Sequence, residues 1–188
     1  MEAHSDRPPP ALVEALDRLE SAEGLDRPAR ALAGVGERVV PPGRVRDVLT
    51  GGWLGHALHP LMTDIPIGFW TSASFLDVAG GRSSRRMATA LLAAGNLAAV
   101  PTVATGLAEW LEADPVARRV GVVHAGANAA GLALYTASLA VRLRGRHGWG
   151  TLLALGGMGA ATVGGYLGGH LAFGLKVGTR RPDVAPVR

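Results

Sequence analysis

Residues 87–111 read MATALLAAGNLAAVPTVATGLAEWL, a run in which Glu109 is the only charged side chain. A helix that crosses a hydrocarbon core of about 30 Å needs roughly 20 predominantly apolar residues. This stretch therefore predicts a transmembrane helix. Pro101 removes a backbone donor inside it and predicts a kink.

Three further apolar stretches of comparable length surround it, at residues 58–80, 116–141 and 149–177. The connectors between the four stretches are short, so consecutive helices must run antiparallel. We therefore predict an all-α membrane protein, an up-down-up-down bundle of four transmembrane helices, over residues 51–178. Residues 179–188 are expected to form a polar tail.

Residues 1–50 form a different kind of segment, which is polar and interrupted by proline. Leu12, Leu16 and Leu19 recur there at helical spacing between charged residues, which predicts a short amphipathic helix. Two locations remain possible for this N-terminal segment. It lies at the membrane interface, or it is a soluble cap packed on the bundle or on a partner.

Composition restricts the function classes. A mean hydropathy of +0.22 and 27 glycines suit packed membrane helices better than a soluble domain. The absence of cysteine excludes disulfides, thiolate metal sites and an iron–sulfur cluster held by this chain's cysteines.

The net charge of +4 comes from arginines at the ends of the apolar stretches, which favours lipid headgroups over nucleic acid as the partner. Both sides of the bundle carry arginines, so the positive-inside rule leaves the orientation open. Phosphate-binding loops, dinucleotide-binding glycine patterns, nucleophile elbows and zinc-protease motifs are lacking. The protein is therefore not expected to be a stand-alone enzyme.

Ionisable residues inside membrane helices are costly and mark functional sites. Antiparallel threading places several of them near one face of the bundle. These are His56, His59, Asp64, Glu109, His124 and His170.

The first functional interpretation is a redox or electron-transfer subunit that binds b-type haem. His124 and His170 are both expected about 10–12 Å below the same face, so they are the candidate axial ligands. Arginines at that face would pair with the propionates. Gly164 and Gly168, with their neighbours Gly165 and Gly169, could leave room for the macrocycle, although small residues at this spacing also pack helices without any cofactor.

Two alternatives remain open beside the haem. In one, His56, His59, Asp64 and Glu109 bind a divalent metal ion together with the two haem candidates, as a metal-binding protein or small transporter would. In the other, the protein is a noncatalytic membrane anchor or assembly partner, and the histidines only stabilise helix contacts. The glycine-rich faces would also permit homo-oligomers.

The segment GGWLGHALHPLMTDIPIGFW at residues 51–70 resembles the bacterial membrane proteins grouped as domain of unknown function 2231. ATGLAEW, VVHAGANAAG and GGYLGGHLAFGLKVG resemble later segments of that family, so the likeness covers residues 49–178. The matching positions are His56, His59, Pro60, Asp64, Pro66, Gly68, His124 and Asn128.

The resemblance implies a multi-pass protein of the bacterial cell membrane. Some family members carry a Rieske-type iron–sulfur domain, which implies redox work and a redox partner protein. The present sequence has no cysteine for such a cluster.

Overall fold

The computed structural model describes residues 10–178, so the predicted polar tail at residues 179–188 lies outside the described part. Within residues 10–178 the chain is all-α and has no strand, which confirms the predicted fold class at this level. Its helices are α1 (Pro10–Glu20), α2 (Asp26–Val39), α3 (Arg44–Leu49), α4 (Leu58–Ala79), α5 (Arg85–Leu111), α6 (Pro115–Leu143) and α7 (His147–Gly169). A π-helical turn, His170–Gly174, continues α7.

The four long helices begin and end where local chemistry dictates. α6 starts at a proline in the first helical position, and the side chain of Asp114 caps it by accepting the Ala117 N–H at 2.9 Å. Gly81 and Gly145 adopt positive φ angles of 67° and 77° between the long helices. Only glycine takes this conformation without steric cost, which permits the abrupt reversals.

The long helices pack as two hairpins. α4 lies along α5, α6 lies along α7, and the hairpins touch through α5 with α6 and through α4 with α7. Close approach within the second hairpin depends on Gly131 and Gly157, because a Cβ on Gly131 would lie 3.3 Å from the Gly157 carbonyl oxygen. Small residues of this kind bring helix backbones together without a large apolar core.

The N-terminal helices pack on one end of the hairpins. Leu16 and Leu19 of α1 join a cluster with Leu167 and Leu171. Asp26 of α2 accepts two hydrogen bonds from the Arg119 guanidinium, at 2.6 and 3.0 Å. The predicted amphipathic helix is therefore present, and Leu16 and Leu19 pack against the long helices while Leu12 is exposed.

Two helical segments, Arg85–Leu111 and His147–Gly174, are long and apolar enough to cross a membrane by length and composition. α4 and α6 are of similar length, with 22 and 29 residues. Both carry charged groups toward their ends, among them Asp77, Arg119 and Arg142. The structure therefore supports two of the four predicted spans by this criterion.

The two hairpins repeat one set of side-chain contacts, and we call them the two repeats. WTSASFLD at residues 70–77 corresponds to YTASLAVR at residues 135–142, with an offset of 65 positions. The second helix of each hairpin makes an equivalent contact. Gly95 of α5 lies against the Trp70 ring, and Gly157 of α7 lies against the Tyr135 ring. Parallel repeats of this type place equivalent residues on opposite sides of an axis along the bundle.

Equivalent side chains of α4 and α6 meet at this axis. Trp70 stacks on Tyr135 with ring centroids 4.3 Å apart and an interplanar angle of 15°. Asp77 forms a buried ion pair with Arg142, its own counterpart in the other repeat. The third such pair, His59 and His124, forms the candidate site.

Candidate functional site

His59 lies in the first turn of α4, where Pro60 follows it. Its Nδ1 is 3.0 Å from the Thr102 carbonyl oxygen of α5 and 3.3 Å from the Thr105 hydroxyl. A carbonyl can only accept, so Nδ1 carries the proton and donates to it, which leaves Nε2 with a free lone pair. Gly106 gives the ring its space, because a Cβ there would lie 2.6 Å from Cε1.

His124 of α6 has an equivalent environment. Its Nδ1 is 2.8 Å from the Gly164 carbonyl oxygen of α7, so this nitrogen also donates and Nε2 again carries the lone pair. A Cβ on Gly168 would lie 3.0 Å from Cε1 of the ring. Each repeat thus holds one histidine between a carbonyl oxygen and a glycine four residues later on the neighbouring helix.

The Asn128 amide contacts His124 from the next turn of α6. Its nitrogen is 3.1 Å from Nε2 and 3.3 Å from Nδ1 of the ring. Because Nδ1 carries the proton, Nε2 is the ring nitrogen that accepts a hydrogen bond from the Asn128 amide. Its oxygen is adjacent to Gly164, where any side chain would displace it.

The two imidazoles approach each other across the repeat axis. Their ring centroids are 6.4 Å apart and the ring planes are nearly perpendicular, at 88°. Both rings are partly buried. The structure therefore brings together two imidazoles that are each oriented by a backbone carbonyl, an arrangement typical of histidines that bind a metal.

Glu109 lies beside this pair but interacts with the backbone. Its Oε1 accepts the His59 N–H at 3.0 Å at the start of α4, where the positive end of the helix dipole favours a carboxylate. The residue is 7% exposed. The carboxylate thus fixes the first turn of α4, and with it the position of His59.

His170, the other predicted axial ligand, has a different partner. Its Nε2 is 2.7 Å from Oε1 of Glu20 in α1. Since consecutive residues of a helix are rotated by about 100°, His170 lies on the side of α7 opposite Gly164 and Gly168, the residues that contact His124. The structure does not bring His170 to His124.

The remaining candidates are separated from the pair. His56 and Asp64 are exposed on the outside of the bundle. His147, which begins α7 at the other end, is not one of the predicted site residues. Within residues 10–178, no group of three or more His, Asp or Glu side chains is placed to hold a metal ion. The expected six-residue metal site is therefore not assembled in the described part of the chain.

The pairing of His59 with His124 was missed in the sequence, although a signal for it was present. The two residues have the same offset as Trp70 and Tyr135 and as Asp77 and Arg142. The signal is this shared offset alone, because WTSASFLD and YTASLAVR are otherwise identical only at Thr71 and Thr136. The depth of a residue below the face of the bundle, estimated from the helical rise, shows which residues lie at the same height. It does not show which sides of their helices face each other.

An all-α architecture in which two helical segments are long and apolar enough to cross a membrane fits the class of helical membrane proteins. Residues 55–181 match the family described as "Predicted membrane protein (DUF2231)", more than half of the chain, and the protein belongs to this family. This confirms the resemblance seen in the sequence. Searches of curated proteins and of solved structures found no match.

Proposed function

We propose that the protein is a b-type haem-binding subunit of a bacterial cell membrane, with His59 and His124 as the axial ligands of the iron. The spacing of the two imidazoles carries this proposal. A nitrogen–metal bond of about 2.0–2.1 Å plus roughly 1.1 Å from nitrogen to ring centre separates two imidazoles on opposite sides of one ion by about 6.2–6.4 Å. The observed separation of 6.4 Å agrees with that value.

The donor set also favours haem over a bare divalent ion. A protein site for zinc or manganese needs at least three side-chain ligands, and residues 10–178 assemble no such group. Haem supplies four nitrogens of its own and needs only two from the protein. With Nδ1 of each ring hydrogen-bonded to a carbonyl, each Nε2 carries the lone pair that would bind the iron. On His124 the Asn128 amide, which is 3.1 Å from Nε2, would have to move aside.

The repeat supports a bundle of four transmembrane helices around this site. The column of paired side chains runs along α4 from His59 to Asp77, roughly 27 Å at 1.5 Å per residue. That length is close to the thickness of the hydrocarbon core. Apolar α5 and α7 would shield α4 and α6, whose polar groups meet each other at the axis.

An absorption spectrum of the detergent-purified protein, oxidised and dithionite-reduced, tests the proposal. We expect a Soret band that shifts on reduction, and its loss in both His59→Ala and His124→Ala. His147→Ala should leave the spectrum unchanged. His170→Ala is the discriminating variant, because it retains the spectrum if His59 is the second ligand and loses it if His170 is.

Metal analysis on the same sample distinguishes the two alternatives to haem binding, which are metal binding or transport and a noncatalytic anchor. A wild-type protein without a Soret band would reject the haem proposal. Bound divalent metal in that sample would favour the metal-binding or transport function. Its absence would favour the anchor, in which His59 and His124 only stabilise the contact between repeats.

A further inference from the structure

A groove lies on the outer side of α7, at the end of the bundle that α1 covers. Its volume is about 410 Å³, within the range of about 300–1,000 Å³ common for small-molecule sites. It is lined by Leu16, Gly165, Tyr166, Gly169, His170, Phe173 and Gly174. The lining is mostly apolar, and the groove opens toward the surroundings of the bundle.

We propose that this groove binds the head group of a lipid-soluble quinone. That the occupant is an electron carrier rests on the proposed haem function. Gly164 and Gly168 of α7 face His124, while Gly165 and Gly169 line the groove. The groove and the imidazole pair are thus separated by one helix, which has a diameter of about 10 Å.

The polar edge of the groove suits a molecule that alternates between carbonyl and hydroxyl. His170 Nε2 is hydrogen-bonded to the Glu20 carboxylate. Its Nδ1 lies beside Gly174, where an added Cβ would be only 2.8 Å from that nitrogen. In the neutral ring with the proton on Nε2, Nδ1 accepts a hydrogen bond from a quinol hydroxyl. In the protonated ring, Nδ1 donates one to a quinone carbonyl.

The backbone at the groove departs from a regular helix. Residues His170–Gly174 form a π-helical turn at the end of α7, and such turns occur frequently at functional sites. The turn leaves Phe173 strongly exposed, at 78%. Its ring and the Tyr166 ring supply apolar walls of the kind that flank a flat aromatic head group.

Titration calorimetry of the full-length, detergent-purified protein with a decyl-tailed benzoquinone tests the proposal. We expect saturable binding at one site, weakened about tenfold or more by Gly169→Leu, which fills the groove. Nothing lies within 4 Å of a Cβ at Gly169 or at Gly165, so neither substitution clashes at its Cβ and Gly165→Leu is a second filling variant. Gly159→Leu, in equally open space on the same helix, is the matched control and should bind as the wild type does.

Decanol, which has the tail without the head group, distinguishes a quinone site from a groove for lipid chains. His170→Leu should weaken the quinone and leave decanol unchanged. The proposal is wrong if the wild type shows no saturable binding, if both filling variants bind normally, or if decanol binds as tightly as the quinone. His124→Ala should keep the quinone affinity while losing the haem spectrum, so failure of the iron site and failure of the groove give different results.

Discussion

At the scale of single residues, the candidate site depends on glycines that make room for imidazoles. Gly106 and Gly168 occupy the same position in the two repeats, and each lies against the ring of its histidine. A carbonyl oxygen one turn earlier on the same helix accepts a hydrogen bond from Nδ1 of the ring. A methyl group at either glycine must therefore displace the ring or separate the helices.

Gly106→Ala tests this packing. The added Cβ would lie 2.6 Å from Cε1 of His59, and overpacking of this kind costs about 1–3 kcal/mol. We expect a lower Tm and a weakened haem spectrum. Gly126→Ala, in open space on α6, is the control and should retain both the spectrum and the Tm. Equal behaviour of the two variants would contradict the assigned role of Gly106.

The sequence identified His59 and His124 as chemically important because histidines within apolar stretches are costly. It did not pair them, because their contact depends on which side of α4 faces which side of α6. The hydrogen bond between His170 and Glu20 was not predictable either, since it joins residues 150 positions apart through the docking of α1. Patterns within one helix contain no information about such contacts.

At the scale of helices, α2 is fastened to α6 by a charged contact. The hydrogen bonds from the Arg119 guanidinium hold the pKa of Asp26 below its ordinary value of 3.8. A carboxyl whose pKa is lower in the folded state adds stability above its unfolded pKa, and this stability disappears as the pH falls through the folded value. The contact should therefore contribute at neutral pH and vanish in acid below pH 3.8.

Comparing wild type with Asp26→Asn across this pH range measures the contribution. We expect the variant to have the lower Tm at neutral pH and the two curves to converge as the pH falls below 3.8. Glu14→Gln removes the exposed pair with Arg18, whose side chains are 64% and 81% exposed, and should change little at any pH. A constant difference between wild type and Asp26→Asn would show that the carboxylate charge is not involved.

The ion pair of Asp77 with Arg142 joins α4 to α6 at the end of the bundle opposite the histidines. Its side chains are 4% and 0% exposed, and Ser138 accepts a further hydrogen bond from the Arg142 Nε at 3.0 Å. Removing one partner leaves a buried charge unpaired, so we expect Asp77→Asn to lower the unfolding free energy by about 3–5 kcal/mol.

The double variant Asp77→Leu with Arg142→Met separates charge pairing from packing. Replacing a buried ion pair by apolar residues of similar size is often neutral or stabilising, so the double variant should unfold at a higher temperature than Asp77→Asn. Thermal unfolding in detergent, followed by circular dichroism, measures both. A double variant less stable than Asp77→Asn would mean that packing around the two side chains, and not their charges, supports the contact.

At the scale of the whole molecule, the structure is two copies of one hairpin arranged around an axis. Three levels of paired side chains lie along it: imidazoles, stacked aromatic rings and an ion pair. The number and approximate bounds of the long helices were predictable, because apolar length is a local property. The equivalence of the two hairpins emerges from contacts between distant segments and not from the hydropathy of each one.

This arrangement makes a prediction about membrane topology. If all four long helices cross the bilayer, the turns at Ser83 and Arg144 lie on one side and Glu112 on the other. If only the two most apolar segments, Arg85–Leu111 and His147–Gly174, cross it, then Arg144 shares the side of Glu112. The position of Arg144 relative to Glu112 therefore distinguishes the two topologies.

The absence of native cysteine makes single-cysteine labelling clean. We expect a membrane-impermeant maleimide to label Ser83→Cys and Arg144→Cys from the same side of sealed vesicles, and Glu112→Cys from the opposite side. Labelling of Arg144→Cys together with Glu112→Cys would place α4 and α6 outside the bilayer core. The imidazole pair would then not be buried in a transmembrane bundle, so this measurement also tests the environment assumed for the haem.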